Sequence, residues 1–470
     1  MARSVKAVTQ IVLISVLALA AIAQKGKPSA CPSPPPLPTV DTKCFLLASG
    51  CLDQTFGSTG RVDFLRPAPY TGIRIDKVVA QQDGKILAVG SFTGSSGSTI
   101  NTGLIIRFNG DGSLDTSFGD IDTSNPLLRR GYVADGAVAN QAVAIAEDGS
   151  IVVGGAGANF GRWQIRRYTS TGEKDPSFGQ AGVVAPGFGL TVTGLAVLSD
   201  GKILAVGNDP FLLMKLDPNG TPDPTFGGGD GVVSVSPSTT AFGGGAAYGM
   251  AIQSFPDGSG GFEQRIILSG YGFDGATRKN QDSSVNRFAL IRLKSDGSLD
   301  TTFDGDGRVL TDFFGRQAIA FSIAVDPSNK IVAAGQVHPS GCTDAPDMGF
   351  ARYNENGSLD ASFSVDGKAN IDVYGYQNYG RHVAIQMIGS ETKIVGFGAT
   401  EDGRRDLVVL RLNNDGSLDQ SFGPGTFGFG KVTYDTGPAA YSGYGAIQPD
   451  DKIVIAGSFN GDLTLIRYLP

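Results

Sequence analysis

The chain has 470 residues, including 68 glycines and 24 prolines, and its formal net charge at pH 7 is −7. This length would ordinarily suggest two or three domains. The acidic balance, with no basic tract beyond the N-terminus, argues against a nucleic-acid partner, because such proteins need clustered Lys and Arg to contact phosphates.

The first 23 residues are predicted to be a secretory signal peptide. Arg3 and Lys6 form a basic start, residues 11–23 are apolar, and Ala21 and Ala23 supply small side chains before a cleavage point at Gln24. The apolar stretch is shorter than the roughly 18–20 residues that cross a bilayer. No later stretch resembles a transmembrane helix, so we expect a secreted or cell-surface protein whose mature charge is −9.

Residues 24–43 are predicted to be a Pro-rich linker. A run this rich in proline favours extended polyproline geometry and builds no core. The prolines are Pro28, Pro32, Pro34, Pro35, Pro36 and Pro38. The folded domain is therefore expected to span residues 44–470.

A motif repeated about every sixty residues occupies that domain. A fixed period of this size indicates one supersecondary unit repeated along the chain. The seven copies are LDQTFG (52–57), LDTSFG (114–119), KDPSFG (174–179), PDPTFG (222–227), LDTTFD (299–304), LDASFS (359–364) and LDQSFG (418–423).

The first full repeat has four predicted strands and no helix pattern. IDKVVAQQ (75–82) alternates between apolar and polar residues, KILAVGSF (85–92) and GLIIRFN (103–109) are mostly apolar, and a fourth strand is predicted to begin at SLDTSFG (113–119). The Asp83-Gly84 pair predicts a type I′ turn, which needs positive φ at both central residues. Four antiparallel strands per unit are typical of a β-propeller blade.

The two chain ends predict how the ring closes. The repeats open with LDQTFGSTGRVDF (52–64), a fourth strand with no first three before it, and they end with LTLIRYLP (463–470), a third strand with no fourth after it. Pairing these segments completes the last blade and leaves no open sheet edge. The predicted fold is an all-β, seven-bladed β-propeller of four-stranded antiparallel blades, closed by its N-terminal strand.

The combination of QQDGKILAVG (81–90) and LIIRFNGDGSLDTSFG (104–119) resembles the bacterial delta-60 repeat. The resemblance covers about residues 52–470 and implies a β-propeller of a kind found mostly in exported proteins. It implies no particular reaction or ligand. Two copies depart from the pattern, because residues 255–266 lengthen the first turn and PSNK (327–330) replaces Asp-Gly-Lys.

The Asp and Phe of the repeated motif are predicted to be structural. A Phe in every blade fills the gap between neighbouring blades, and the Asp accepts backbone N–H groups of the turning chain. Repeated calcium ligation is the alternative. Asp304-Gly305-Asp306-Gly307 and residues 109–112 look like parts of a calcium loop but lack its closing Glu. We therefore predict no metal site and no cofactor, with calcium left open.

The loops supply the candidate ligand-binding residues. In a four-stranded blade, the second-to-third-strand and blade-to-blade connections share one face, which we call the variable face because these loops differ in length and are rich in aromatic and basic residues. Rigidly held loops are where binding sites usually lie. The candidates are Tyr132, Arg162, Trp163, Tyr248, Arg316, Tyr374, Tyr376, Arg381, Arg404, Tyr441 and Tyr444. A wider set adds Tyr70, Phe160, Arg278, Lys279, Tyr379 and Arg405, and about half of the aromatic residues are expected to cap the channel or pack between blades.

These observations lead to two hypotheses of function. The first is an exported, non-catalytic, monomeric scaffold that binds an extracellular protein, peptide or glycan through the variable face. The alternative is a carboxylate-based hydrolase or lyase acting on a glycan or lactone, with or without calcium, which needs two or more acids together at the propeller axis. Only His338 and His382 are available for histidine-based chemistry.

The four cysteines are expected to be oxidised in an exported protein. Cys44 and Cys51 flank six residues just before the closing strand and are predicted to form a local disulfide. Cys31 and Cys342 form a candidate second pair by elimination, and their connectivity stays open.

Overall fold

The computed structural model describes residues 48–95, 101–136, 138–157, 161–208, 210–239, 244–273, 285–339, 345–373, 375–401, 406–423, 430–435 and 441–470. These residues form 28 β-strands and no helix, and so they include no helix suited to crossing a membrane. The predicted signal peptide and linker lie outside the described residues.

The strands form seven antiparallel sheets of four. The first strand, β1 (Arg61–Phe64), belongs to the seventh sheet. Blade 1 consists of β2 (Tyr70–Ala80), β3 (Ile86–Ser95), β4 (Thr102–Phe108) and β5 (Tyr132–Asp135). Blade 2 consists of β6 (Val138–Ile145), β7 (Ile151–Gly157), β8 (Trp163–Tyr168) and β9 (Val183–Val184). Blade 3 consists of β10 (Val192–Val197), β11 (Ile203–Gly207), β12 (Phe211–Leu216) and β13 (Val232–Val235).

The other four blades follow the same order. Blade 4 consists of β14 (Gly244–Pro256), β15 (Phe262–Phe273), β16 (Arg287–Lys294) and β17 (Arg308–Thr311). Blade 5 consists of β18 (Ala318–Val325), β19 (Ile331–Val337), β20 (Asp347–Tyr353) and β21 (Lys368–Ile371). Blade 6 consists of β22 (Gln377–Ile388), β23 (Glu391–Glu401), β24 (Leu407–Leu412) and β25 (Lys431–Tyr434). Blade 7 consists of β26 (Tyr441–Ile447), β27 (Ile453–Phe459), β28 (Asp462–Tyr468) and β1.

The blades form a closed ring. Each first strand contacts the first strand of the next blade, and the last of them, β26, contacts β2, so these seven strands surround the axis. The N-terminal strand β1 pairs with β28 in the register Arg61↔Ile466 to Phe64↔Leu463. The predicted seven-bladed propeller and its closure by the N-terminal strand are confirmed.

The repeated Phe lies between blades, as predicted. Phe118 packs in one cluster with Leu87 and Val89 of blade 1 and with Val143 and Val153 of blade 2. All seven motif phenylalanines are fully buried, namely Phe56, Phe118, Phe178, Phe226, Phe303, Phe363 and Phe422. Burial of such a side chain stabilises the fold by about 1.5–3 kcal/mol.

The repeated Asp accepts backbone N–H groups, as predicted, and also forms ion pairs that the sequence analysis missed. Asp115 Oδ1 accepts the Ser117 N–H at 3.0 Å, while its Oδ2 lies 2.7 Å from Arg107 Nε and 3.0 Å from Lys85 Nζ. Arg107 belongs to the third strand of the blade, and Lys85 immediately precedes the second. An Arg or Lys eight residues before the Asp pairs with it in copies two to seven of the motif, as in Arg352–Asp360 at 2.8 Å and Arg411–Asp419 at 2.8 Å.

Two local predictions were wrong. The motif LDTSFG forms a turn rather than the start of the fourth strand, which begins only at Tyr132. The Asp83-Gly84 turn is not type I′, because within it only Gly84 has a positive φ, of 82°. The Gly84 N–H donates to Gln81 C=O at 2.9 Å, which gives a type I turn followed by a left-handed glycine.

Residues 255–266 were predicted to lengthen the first turn of their repeat, but the structure shows that they mainly lengthen the two strands beside it. Strands β14 and β15 pair as far as Pro256↔Phe262, which leaves a connection of ordinary size, residues 257–261. The hairpin thus extends beyond the other blades on the face opposite the variable face.

Candidate functional site

A β-bulge interrupts the first strand of every blade at the same position. In blade 1 the pairing register with β3 shifts between Ile75 and Lys77, so that Asp76 is the extra residue. Such bulges re-aim side chains and are common next to functional sites. The seven bulged residues, here called the bulge ring, are Asp76, Gln141, Thr193, Tyr248, Phe321, Arg381 and Gly443.

The glycine at the end of the KILAVG motif makes room for this bulge. Gly90 pairs with Ile75, and a Cβ atom on Gly90 would overlap the carbonyl oxygen of Arg74. The corresponding glycines of blades 2 to 6 face a backbone carbonyl in the same way; they are Gly155, Gly207, Gly270, Gly335 and Gly398. In blade 7, a Cβ on Gly457 would instead press on the Leu407 side chain. The repeated glycine thus fixes the backbone conformation at the bulge, whereas the side chains of the bulge ring differ from blade to blade.

The bulge ring surrounds a cavity of about 290 Å³ on the axis. Thr191, just before β10, and Asn208, just after β11, also line it. Both belong to loops of the variable face, so the cavity lies at the variable-face end of the channel. The axial cavity, as we call it, is lined by Arg74, Asp76, Lys77, Gln141, Thr191, Thr193, Asn208, Tyr248, Phe321, Arg381 and Tyr444.

Among the charged groups of the axial cavity, Arg74 and Asp76 form an ion pair with each other. Asp76 is only 5% exposed, and its Oδ1 lies 2.6 Å from Arg74 Nη2. Its buried Oδ2 has no hydrogen-bond partner in the described structure. Burial raises the pKa of the Asp76 carboxyl, and the guanidinium groups of Arg74 and Arg381 oppose that shift. Arg381 lies against the rings of Phe321 and Tyr379, with its Cζ 5.2 and 5.4 Å from their centroids.

A smaller chamber of about 170 Å³ lies further along the channel. Small residues at the position after the bulge, including Ala142, Gly194 and Gly249, leave this space open, and Lys77 and His382 occupy the same position in their blades. Burial lowers the pKa of the Lys77 ammonium to about 8. Burial and the charge of Lys77 lower the pKa of His382 well below its usual value, so the imidazole is neutral at pH 7.

Three of the predicted site residues meet in the axial cavity. Tyr248 and Arg381 belong to the bulge ring, and Tyr444 follows the bulge of blade 7. The ring centroids of Tyr248 and Phe321 are 5.1 Å apart. Burial raises the pKa of both tyrosines, so neither ionises near neutral pH.

Three other predicted residues lie away from the axis. Tyr132 is 8% exposed and packs edge-on against Phe64 and Phe92, between blades 7 and 1. Trp163 is fully buried, and its ring centroid is 5.8 Å from that of Phe188. These two placements fit the expectation that part of the aromatic set packs between blades. Arg162 donates to Gly187 C=O at the rim.

Arg162 and Trp163 line a second cavity of about 460 Å³ between the outer parts of blades 1 and 2. Among the described residues, Asp135 is the one carboxylate that lines this groove, and its Oδ2 lies 2.7 Å from Lys174 Nζ and 3.4 Å from Arg166 Nη1. Each cation of the groove therefore already has a partner, because Arg162 donates to the Gly187 carbonyl.

Of the remaining predicted residues, the structure describes the side chains of Arg316 and Tyr376. Arg316 and Tyr376 are half-buried in the connections before β18 and β22 and do not line the axial cavity. Tyr374 and Arg404 lie outside the described residues, as do Phe160, Arg278, Lys279 and Arg405. Tyr441 begins β26, but its side chain is also outside them.

The axial cavity contains one carboxylate, Asp76, among its lining residues. In the parts of the chain that the structure describes, no three His, Cys, Asp or Glu side chains come together as a metal site would require. Cys51 is buried, and Cys31, Cys44 and Cys342 lie outside the described residues, so both disulfide pairings stay predictions.

Solved structures resemble this chain only distantly. The β-propeller domain of the Trilobed protease from Pyrococcus furiosus is 10% identical, with a TM-score of 0.40 over 85% of this chain and 94% of that chain. A gluconolactonase from Xanthomonas campestris is 12% identical, with a TM-score of 0.38 over 87% and 99%. Drosophila Semaphorin 2a is 10% identical, with a TM-score of 0.46 over 87% and 75%. Similarity at this level carries no information about activity.

Comparison with curated proteins finds no match. A family model described as a domain of unknown function (DUF5122) beta-propeller matches seven segments, which are residues 81–118, 146–178, 198–226, 273–303, 327–363, 393–422 and 448–470. The first six segments each contain second- and third-strand residues and end at or beside the motif Phe, and the last ends with the chain. The seven matches support the assignment of this chain to a β-propeller repeat family.

Proposed function

We propose that this protein is an exported, non-catalytic β-propeller that binds an extracellular ligand in the axial cavity, entered from the variable face. Export rests on the predicted signal peptide, and the name delta-60 rests on the sequence resemblance. The glycan, peptide or protein would enter an opening that the first strands of the seven blades surround. Binding sites commonly lie where a rigid scaffold positions the binding residues.

One observation carries the proposal. At the bulge, the repeats share a backbone geometry but present seven different residues, whereas the Asp ion pairs and interblade phenylalanines recur almost unchanged. A structural position in a repeat keeps its residue type, because the same contacts recur in every blade. A position that varies around one cavity, and combines an acid, a base, amide and hydroxyl groups and aromatic rings, is suited to recognising an asymmetric ligand.

The alternative function, a carboxylate-based hydrolase or lyase, has less support. Glycoside hydrolysis usually needs two carboxyl groups about 5–10 Å apart, and Asp76 is the one carboxylate that lines the axial cavity among the described residues. Among the described residues, no cluster of three or more His, Cys, Asp or Glu side chains is present that could bind calcium at the axis. A single aspartate among basic and aromatic side chains fits ligand recognition better.

A glycan array with the mature protein tests the proposal. We expect retained ligands whose signal falls about tenfold or more in Arg381→Gln, which removes one charge-assisted contact. Glu391→Gln is the matched control, because Glu391 begins β23 at the opposite face and its side chain is 70% exposed. Retained ligands that bind Arg381→Gln as well as the wild type would place the site elsewhere and overturn the proposal. A glycan array and a matched peptide array that both retain no ligand would do the same.

A further inference from the structure

The axial cavity carries an excess of positive charge. Arg74 and Asp76 pair with each other, but no carboxylate among the described residues lies within ion-pair distance of Arg381 or Lys77. Half-buried cations without a carboxylate partner are costly, and an incoming carboxylate would form strong charge-assisted hydrogen bonds with them. The two cations line the same channel from blades 6 and 1, with blade 7 between them.

The cavity also contains an acceptor that lacks a donor. Asp76 Oδ2 is buried and has no hydrogen-bond partner among the described residues, and a buried polar atom in that state is costly until a donor reaches it. Thr193, Gln141 and Asn208 add hydroxyl and amide groups around it. A ligand that fits this wall therefore carries hydrogen-bond donors in addition to its negative charge.

Three aromatic rings complete the wall. Tyr248, Phe321 and Tyr444 line the cavity beside the charged groups, and such rings pack well on the apolar faces of sugar rings while their hydroxyl groups remain available. The two chambers share Lys77, Thr193 and Tyr248 as lining residues, so they are adjacent. Chambers of 290 and 170 Å³ are large enough for one or two sugar rings.

From these contacts we infer that the ligand is an acidic saccharide, such as a uronic acid unit, whose carboxylate binds between Arg381 and Lys77. Its hydroxyl groups donate to Asp76 Oδ2, and a ring face packs on Tyr248 or Phe321. This inference rests on the proposed function and specifies the ligand class of the same site. A peptide carboxylate would satisfy the cations, but it would bring few donors to the polar wall opposite them.

Calorimetric titration of the mature protein with matched sugars tests the inference. D-galacturonate and D-galactose differ only at C6, where the first has a carboxylate and the second a hydroxymethyl group, and D-glucosamine, which also differs at C4, supplies a cationic comparison. At physiological ionic strength we expect galacturonate, or its short oligomers, to bind about tenfold or more tightly than the neutral sugar. Lys77→Met and Arg381→Gln should each remove most of that preference, and Lys77→Arg should restore part of it. Lys294→Met, at the end of β16, is the control that should change nothing.

The outcomes separate the ligand class from the site. Equal binding of galacturonate and galactose, tighter binding of glucosamine, or no binding of any uronate overturns the acidic-saccharide inference while leaving an axial site for other ligands. A short peptide that binds more tightly through its C-terminal carboxylate also overturns it. Uronate binding that survives both Lys77→Met and Arg381→Gln overturns the inference together with the proposed axial site. Thermal melting of each variant shows whether it is folded.

Discussion

Asp53 and Arg467 lie at opposite ends of the described chain and form an ion pair with an Oδ2–Nε distance of 2.9 Å. It is the same ion pair that Asp115 and Arg107 form within one repeat, over a spacing of eight residues. In the seventh blade the Arg comes from β28 and the Asp from the segment before β1. The contact that organises every blade is therefore used once more to join the two ends of the ring.

Asp53→Ala should destabilise the ring strongly. Asp53 and Arg467 are both less than 5% exposed, and removal of one partner leaves a buried guanidinium without its counter-charge, which typically costs about 3–5 kcal/mol. The measurement is the free energy of unfolding from denaturant titration. Glu391→Ala, which removes an exposed partner of Lys393, should cost less than about 1 kcal/mol. Similar losses in the two variants would mean that the closing ion pair has no special role.

Phe118→Ala should cost about 3–5 kcal/mol, because the side chain fills the space between blades 1 and 2 and its removal leaves a cavity. Chemical denaturation of the purified variant provides the measurement. Phe262, which is 69% exposed at the tip of the long hairpin in blade 4, is the matched control, and Phe262→Ala should change stability by less than about 0.5 kcal/mol. A Phe118→Ala variant as stable as that control would contradict the interblade role.

Much of the fold could be predicted from the sequence, because each blade is made of local hairpins and its motifs repeat. LDTSFG and KILAVG marked the number of blades, and the unmatched ends marked the closure. The Arg107–Asp115 ion pair was also visible in principle, since an Arg or Lys precedes the motif Asp by eight residues in copies two to seven. Residues 113–119 were assigned to a strand because the turn that they form depends on side-chain contacts of Asp115.

The axial cavity was harder to predict. Tyr248, Arg381 and Tyr444 were found from the composition of the variable face, but Asp76 and Lys77 were assigned to a regular alternating strand. A bulge changes which side chains face the channel, and its residue differs in every repeat, so no motif marks it. The one signal was Gly90 and its counterparts, because a glycine follows the apolar residues of this motif at the position where a Cβ would overlap a backbone carbonyl.

Gly90→Ala should disturb the bulge that carries Asp76. A Cβ atom at this position overlaps the Arg74 carbonyl oxygen, which is backbone and cannot rotate away. We expect a loss of about 1–3 kcal/mol in stability, as for other overpacked sites, and weaker binding of any axial ligand. Calorimetry and thermal melting measure the two effects.

The control for Gly90→Ala is Gly110→Ala. The nearest atom to a Cβ on Gly110 is 3.4 Å away, an ordinary contact, so this substitution should change stability by less than about 0.5 kcal/mol. If Gly90→Ala were as stable as Gly110→Ala and bound ligand as well as the wild type, the close approach at the bulge would not be a constraint on this position.

The cysteines should be oxidised in the mature, exported protein. We expect non-reducing peptide mapping to recover a Cys44–Cys51 peptide, because only six residues separate the two and Cys51 is buried beside the ring closure. The same mapping decides whether Cys31 is linked to Cys342, a pairing that elimination suggests and that stays open. Free thiols at all four positions would argue against both pairings and against an oxidising compartment.

Binding of an acidic saccharide should weaken as the pH rises from 7 to 9. Burial lowers the pKa of Lys77 to about 8, so the ammonium is mostly charged at pH 7 and mostly neutral at pH 9. The other groups that face it do not lose charge in this window: Arg74 and Arg381 remain protonated, His382 is already neutral, and burial raises the pKa of Tyr248 and of Tyr444. Asp76 is the remaining neighbour, and a carboxyl gains no proton as the pH rises.

Affinity for galacturonate should therefore fall about tenfold between pH 7 and pH 9, in proportion to the protonated fraction of Lys77. Calorimetric titration at several pH values measures the effect. Lys77→Arg keeps its charge throughout this range, because the guanidinium titrates only at a much higher pH, and its affinity should stay constant. A wild-type affinity that is the same at pH 7 and pH 9, or a Lys77→Arg variant that loses affinity in parallel with the wild type, would show that the charge of Lys77 does not hold the ligand.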